Sequence, residues 1–283
     1  MQNVAFIINP FSAKGQYQHF LAQCQEKMPE AHYYISESLE GTRQFIAQHM
    51  ADTDIFIAMG GDGTISSIAQ HLIHTDKILG IYPAGSGNGF ANEMNFDKKV
   101  DHLINKIKRA QSKTIDTFKI NNHFSINVSG LGFDGAVAKD FEKTSRGFLN
   151  YIKVCIRTFF KYKPIKISFD DAEHQPYNGE YLMLNVANTR QFGNNAYIAP
   201  QASDADGLLE IALIKKFPLW YSGIFAARLF SKSLKENRYV KYWSVPALRF
   251  HTDGQDWHLD GEYTPIASPV EVQILPQSLK ILV

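Results

Sequence analysis

Only two cysteines occur in 283 residues, Cys24 and Cys155, far apart in the chain. That excludes a disulfide framework and a cysteine-rich zinc module. Each reads instead as a small buried hydrophobe. Neither sign of charge is in excess: 29 Lys+Arg face 28 Asp+Glu, a formal net charge of +1. A globally basic nucleic-acid binder and an acidic tail protein are thereby excluded, while local patches stay open. No apolar run is long enough to span a bilayer. The first ten residues lack a basic n-region, and Asn9-Pro10 cuts their apolar run short, so no signal peptide is expected. Repeats and low-complexity segments are missing too. These absences leave a reducing, cytoplasmic, globular protein as the expectation. A composition that is 45% hydrophobic and 20% charged can supply the core. The length allows one large domain or two ordinary ones.

What is present divides into two textures. Short apolar runs alternate with amphipathic stretches at first: strands at 4–8, 32–35, 54–59 and 78–82, helices at 17–28, 42–50 and 65–73, with Thr42 as a helix cap. Alternating βαβ units imply a parallel sheet with helices on its faces. After about Ile115 short strands and turns dominate: two strands within 118–128, then 165–169, 181–187, 208–214, 247–252, 257–259 and 270–274. Turn pairs such as Asp253-Gly254 and Asp260-Gly261 separate them. That texture predicts a β-sandwich or barrel-like unit carrying helices near 148–162 and 219–234. The fold class expected is therefore α/β plus β. Residues 1–118 form the α/β domain and 119–278 the β-rich one, and the end strand 279–283 can return to the first.

Three loops carry the chemistry. Gly60-Gly61-Asp62-Gly63-Thr64 joins a predicted strand to a predicted helix. Its glycines let backbone N–H groups approach an anion, and the helix offers its positive end to phosphate. Asp62 can bind or orient Mg²⁺, and Thr64 adds a hydroxyl. Pro83-Ala84-Gly85-Ser86-Gly87-Asn88-Gly89 repeats the arrangement after the next strand. Asn9-Pro10-Phe11-Ser12-Ala13-Lys14-Gly15 follows the first strand. Each alone can be an ordinary turn; together, at strand ends of an open α/β sheet, they suit one polyphosphate. The Asn9–Gly15 loop fits neither the P-loop nor the dinucleotide fingerprint. Further on, Asp260-Gly261-Glu262 places two carboxylates about one glycine. They can converge on a metal or substrate, or form a plain acidic hairpin turn. His71 and His74 stand three apart on the helix read there, with no third ligand evident.

In order and spacing, these loops resemble the diacylglycerol kinase catalytic family, the lipid kinases that include sphingosine kinases and bacterial diacylglycerol kinases. Segments 128–134, 200–208 and 259–262 extend the resemblance over nearly the whole chain. Gly-Gly-Asp-Gly-Thr by itself is shared with NAD kinases; the full set is specific to the lipid kinases. The resemblance implies an ATP- and Mg²⁺-dependent lipid kinase acting on a hydroxyl of a diacylglycerol-like or sphingoid lipid. Its ATP contacts would come from Asn9, Pro10, Phe11, Ser12, Ala13, Lys14, Ser36, Gly60, Gly61, Gly63, Thr64, Ser67, Gly85, Ser86 and Asn88. Glu262 would be the catalytic base, with Asp62 and Asp260 in a magnesium–water network. Ser203, Asp206 and Leu208 match a structural Mg²⁺ loop, two of them through backbone carbonyls. Lys153 lies in a segment that reaches the active site in some members. The sequence departs from the family at Gly89, where many bacterial members have Asp, and at Asn92, where Arg is common. Sphingosine and ceramide kinases also lack that Asp, which leaves the acceptor open.

A lipid acceptor requires peripheral contact with a membrane, here the inner leaflet. Lys143, Arg146, Lys153, Arg157, Lys161, Lys163 and Lys166 interleave with Phe148, Tyr151, Ile152, Phe159 and Phe160. Such a stretch can dock on anionic lipid or pack its apolar face on the sandwich. Residues 217–230, followed by Lys232, Lys235 and Arg238, offer the same two readings. A homodimer stays open. The rival functions are a soluble-substrate kinase of NAD kinase type and a catalytically silent lipid- or nucleotide-binding regulator.

Overall fold

The computed structural model describes residues 2–12, 17–145 and 147–283. Two of the residues singled out above, Ala13 and Lys14, lie outside the described residues, as does Arg146. The chain divides into two compact units, Met1–Asp116 with Gln277–Val283, and Thr117–Pro276.

Unit 1 alternates strand and helix: β1 (Val4–Ile8), α1 (Tyr17–Lys27), β2 (His32–Ile35), α2 (Leu39–His49), β3 (Ile55–Gly60), α3 (Asp62–Ala69), β4 (Ile78–Pro83), α4 (Gly89–Glu93) and α5 (Val100–Arg109). Its strands pair in parallel in the order β2-β1-β3-β4. Every residue of β1 and β3 is buried. Such continuous apolar runs are what a parallel sheet covered on both faces requires. Each fully buried Ile or Phe here stabilises the unit by about 1.5–3 kcal/mol. The second helix departs from expectation. It starts at Leu39, and Ser38 caps it by accepting the Gly41 N–H at 3.0 Å. Thr42, expected as the cap, lies inside the helix and is buried, its hydroxyl 2.7 Å from that of Ser36. The third helix begins at Asp62 and stops at Ala69, so His71 and His74 fall in the turns beyond it. The sequence reading passes over α5, although Val100, Leu103, Ile104 and Ile107 make a full buried stripe.

The chain leaves unit 1 through β5 (Ser112–Ile120). Unit 2 then holds β6 (His123–Ser125), β7 (Val128–Gly132), α6 (Phe133–Phe141), α7 (Phe148–Lys161), β8 (Ile165–Phe169), β9 (Gly179–Tyr181), β10 (Met183–Ala187), β11 (Leu209–Ile214), α8 (Leu219–Phe230), β12 (Val240–Val245), β13 (Ala247–Thr252), β14 (Asp256–Leu259) and β15 (Glu262–Pro265). The last strand, β16 (Val270–Leu282), joins into one element the two short strands expected at 270–274 and 279–283. A six-stranded antiparallel sheet runs β12-β11-β10-β7-β14-β15. A second antiparallel set runs from the start of β16 through β13 and β8 to β9. One core packs Leu131, Leu184, Ile211 and Trp257 of the first sheet against Ile167, Phe169, Phe250 and Val272 of the second. That is the sandwich the texture predicted. The other face of the six-stranded sheet is covered as well, by Phe217, Tyr221, Phe225 and Leu234 around α8. This explains why β11 is apolar at both faces except for Glu210, while β8 alternates. Cys24 is fully buried, and burial pushes its thiol up to about 12. Cys155 is half-buried, less enclosed than its composition suggested.

Candidate active site

In unit 1, three loops leave the carboxyl ends of β1, β3 and β4. The strand order reverses beside β1, with β2 on one flank and β3 on the other. Open α/β sheets bind ligands at such a reversal. Asn9 ties the first loop to the second. Its backbone N–H donates to Met59 O at 3.0 Å, and its Nδ2 donates to Thr64 Oγ1 at 2.8 Å. Its own Oδ1 accepts the Phe11 N–H at 3.0 Å. That turn leaves the Phe11 ring 86% exposed, an aromatic face free for a flat base.

The second and third loops touch through their glycines. A Cβ built on Gly85 would stand 2.6 Å from Gly61 Cα, and one on Gly61 would stand 3.3 Å from Gly85 Cα. The two backbones approach too closely for a side chain on Gly85, and a Cβ on Gly61 would be tight there. Gly60 is required for a different reason, since a Cβ on it would meet Thr64 at 2.4 Å. Asn88 closes the third loop in the left-handed region (φ 49°). It accepts the Gly85 N–H and donates to Gly85 O, both at 2.8 Å. Asp62 accepts from the N–H groups of Gly89 and Phe90 at 3.0 and 3.1 Å. Gly89 thus contributes a backbone donor in this corner, and the carboxylate there is that of Asp62. Ser36 and Ser67 turn their hydroxyls to Thr42 and to the Thr64 carbonyl. Ser86 stands exposed at the loop tip; Pro10, Ser12 and Gly63 are half-exposed.

Gly85→Ala is expected to weaken nucleotide binding at least about tenfold, because the loops must separate by several tenths of an ångström. Calorimetric titration of ATP checks this, with circular dichroism to show an intact fold. Wild-type affinity would mean that the close approach is irrelevant to the ligand.

Unit 2 carries the remaining residues. Asp260 and Gly261 form the turn between β14 and β15, with Leu259 paired to Glu262. Both have positive φ, 49° and 91°, as a two-residue type I′ hairpin demands. The two carboxylates do not converge. Asp260 is buried, 4% exposed, and accepts from Ser125 Oγ at 2.7 Å, Asn127 N–H at 2.8 Å and Ile126 N–H at 3.1 Å. Glu262 is exposed. Of the two readings of this turn, the convergent pair is not what forms: Asp260 grips the β6–β7 connection, and Glu262 alone is presented outward.

A buried polar group behind this turn is missed by sequence reasoning. His258 Nδ1 accepts the Gly261 N–H at 3.3 Å, so the ring proton belongs on Nε2, 3.3 Å from Asp134 Oδ2. Asp134 also receives Asn185 Nδ2 and the Gly135 N–H. Gly130 leaves the space for it: a Cβ there would fall 1.9 Å from Asp134 Oδ2. The signal was present only as polar residues inside apolar strands, Asn185 in β10 and His258 in β14. Glu262 is therefore aimed by a turn held from both sides.

The loop before β11 holds Ser203 and Asp206, both exposed, and Leu208, whose N–H donates to Asp206 Oδ1 at 3.1 Å. Glu210 follows, hydrogen-bonded by Ser244 Oγ at 2.6 Å; burial, with Asp206 nearby, pushes its carboxyl up. Lys153 stands exposed on α7.

Residues 3–120 match the diacylglycerol kinase catalytic domain, and residues 127–283 the YegS C-terminal NAD kinase beta sandwich-like domain. Two relatives named "Probable lipid kinase YegS-like" are similar in sequence. That of Pectobacterium atrosepticum is 25% identical over 214 residues, 71% of this chain and 67% of the relative. That of Yersinia enterocolitica is 26% identical over 213 residues, 71% and 68%. A crystal structure described as a diacylglycerol kinase from Bacillus anthracis shares the fold, with TM-score 0.75 and 17% identity over 99% of this chain and 96% of that one. The glycine loops, the sandwich and these matches carry one conclusion: the chain belongs to the diacylglycerol kinase catalytic family and is a lipid kinase with a YegS-type C-terminal domain.

Proposed function

We propose that this kinase transfers the γ-phosphoryl group of ATP to a hydroxyl of a diacylglycerol-like or sphingoid lipid at the inner leaflet of a membrane. The observation that carries the reading is the contact of Gly61 with Gly85, which joins two phosphate-type loops at neighbouring strand ends. Unit 1 holds the nucleotide: Asn9 and Thr64 set the loops, backbone N–H groups meet the phosphates, and Phe11 covers the base. Unit 2 takes the lipid. Glu262 accepts the proton of the attacking hydroxyl, and the His258–Gly261 and Asp260 contacts hold it in place. Catalysis of this kind is mainly positioning and charge neutralisation.

Magnesium suits the donor sets present. The Asp62 carboxylate beside the loops, and the hydroxyl, carboxylate and carbonyl oxygens of Ser203, Asp206 and Leu208, are all hard oxygen ligands. Bound with the nucleotide, Mg²⁺ supplies neutralisation of phosphate charge.

Two helices of unit 2 support a membrane surface as the place of action. Beyond the side chains they pack inward, α7 leaves Leu149 74%, Ile156 57% and Phe160 63% exposed, and α8 leaves Trp220 63% exposed. Phe159 of α7 packs on Phe217, just before α8, with ring centroids 5.4 Å apart, so the carboxyl end of α7 meets the start of α8. Lys153, Arg157 and Lys161 stand among the exposed groups of α7. Apolar side chains flanked by basic ones favour an anionic leaflet. Among the described residues no helix is long and apolar enough to cross a membrane.

The test is transfer of labelled γ-phosphate to lipid in anionic vesicles, with NAD as the competing acceptor. Labelled lipid is expected. Leu149→Ser, Ile156→Ser and Phe160→Ser together should reduce vesicle binding at least about tenfold while sparing transfer to detergent-dispersed lipid. Labelled NAD phosphate in place of lipid would establish the soluble-substrate reading. ATP binding without transfer to either would establish a silent regulator.

A further inference from the structure

Away from the loops, unit 1 gathers a second set of donor atoms. His32 opens β2, His49 closes α2, and Asp52 lies in the turn that follows. One ring nitrogen of each histidine and one Asp52 oxygen all lie within 4.8 Å of one another. His32 Nε2 is 3.8 Å from Asp52 Oδ2, and His49 Nδ1 is 3.5 Å from Asp52 Oδ1. Bonds of about 2.0–2.1 Å at tetrahedral angles put ligand atoms about 3.3–3.5 Å apart. The two histidine–carboxylate distances exceed that spacing by at most a few tenths of an ångström, and the three donor groups, all within 4.8 Å of one another, have only to draw in around an ion.

The rings are held before any ion arrives. His32 and His49 pack with centroids 4.2 Å apart, Phe45 packs on His49 at 4.5 Å, and Tyr34 stacks on Phe45 at 4.8 Å. Thr53 Oγ1, 3.5 Å from Asp52 Oδ1, steadies the carboxylate. His49 Nδ1 is buried and makes no hydrogen bond. Buried polar atoms almost always have a partner, and an exception calls for a reason. A cation supplies one.

We propose that His32, His49 and Asp52 form a binding site for a first-row transition cation, zinc foremost. Two imidazoles and one carboxylate suit Zn²⁺, Co²⁺ or Ni²⁺, whereas Mg²⁺ and Ca²⁺ take oxygen sets. Three protein ligands leave a fourth position for water. The site is separate from the nucleotide loops. His32 pairs with Ala5 at the amino end of the strands, and Ser36 follows at the carboxyl end, about 13 Å of strand further on. Its effect is a staple: β2 is the edge strand, and the ion fastens it to the end of α2.

Zinc titration of chelator-treated protein by calorimetry, with Co²⁺ absorption as the spectroscopic probe, tests the site. One equivalent is expected to bind, with visible Co²⁺ bands of low coordination number, and zinc should raise the melting temperature. His32→Gln should lower affinity about 100-fold and abolish the bands. Asp52→Asn should lower affinity at least about tenfold. His32 is well exposed, so its variant keeps the fold even if a His49 variant does not. Equal zinc affinity in wild type and His32→Gln, or no binding to either in millimolar zinc, overturns the proposal.

Discussion

Replacing Glu262 by Gln is expected to lower kcat by about three orders of magnitude while ATP affinity stays near wild type. The substitution keeps size and a hydrogen-bonding oxygen but removes the proton acceptor. General bases contribute about 10²–10⁴-fold. The middle of that range is expected, because positioning and charge neutralisation by the rest of the site persist in the variant. Nothing in the surrounding turn should move: Glu262 is exposed, while the turn is fixed by Asp260 and by the Gly261 contact to His258. Saturating-lipid kinetics and a parallel ATP titration check both halves. Near-normal turnover would remove Glu262 from the role of base. Loss of ATP affinity with kcat preserved would make it a nucleotide contact instead.

Asp260→Ala is expected to act differently, lowering the stability of unit 2 by about 3–5 kcal/mol. The substitution leaves the buried Ile126 and Asn127 N–H groups without their acceptor, while the Ser125 hydroxyl keeps only Ser129 Oγ at 2.8 Å. Each orphaned buried donor costs about 1–3 kcal/mol, and the costs are not fully additive. Asp260→Asn keeps one acceptor oxygen and should recover part of the loss. Urea unfolding followed by tryptophan fluorescence reads it, since Trp257 is buried three residues away in β14. Unchanged stability with an altered Mg²⁺ requirement would return Asp260 to the metal.

These two carboxylates also mark where the sequence stops being legible. Asp260-Gly261-Glu262 announces a hairpin turn, because an Asp-Gly pair between apolar strands has few other uses. It does not say which acid points inward. That depends on the β6–β7 connection, more than 130 residues earlier in the chain. The phosphate-type loops were readable because their needs are local: glycine before a helix, directly after a buried run. On local grounds Thr42 suits a cap, but Ser38 sits one residue before the helix and wins the Gly41 N–H. Asp134 of α6 meets Asn185 of β10 in unit 2, and His32 of β2 meets His49 of α2 in unit 1. No spacing rule connects partners that only the folded sheet brings together.

The last strand has a consequence for how the chain is made. Its start pairs with β13 in unit 2, while Lys280 and Ile281 pair with Ile78 and Leu79 of β4 in unit 1. Ser278 O also accepts the His74 N–H at 2.7 Å. The unit whose strands leave the ribosome first is thus finished by residues made some 200 residues later. Until they arrive, β4 has a bare edge, open to mispairing with other nascent chains. A late frameshift would therefore damage the early half of the protein, some 200 residues upstream of the lesion by the Ile78–Lys280 register.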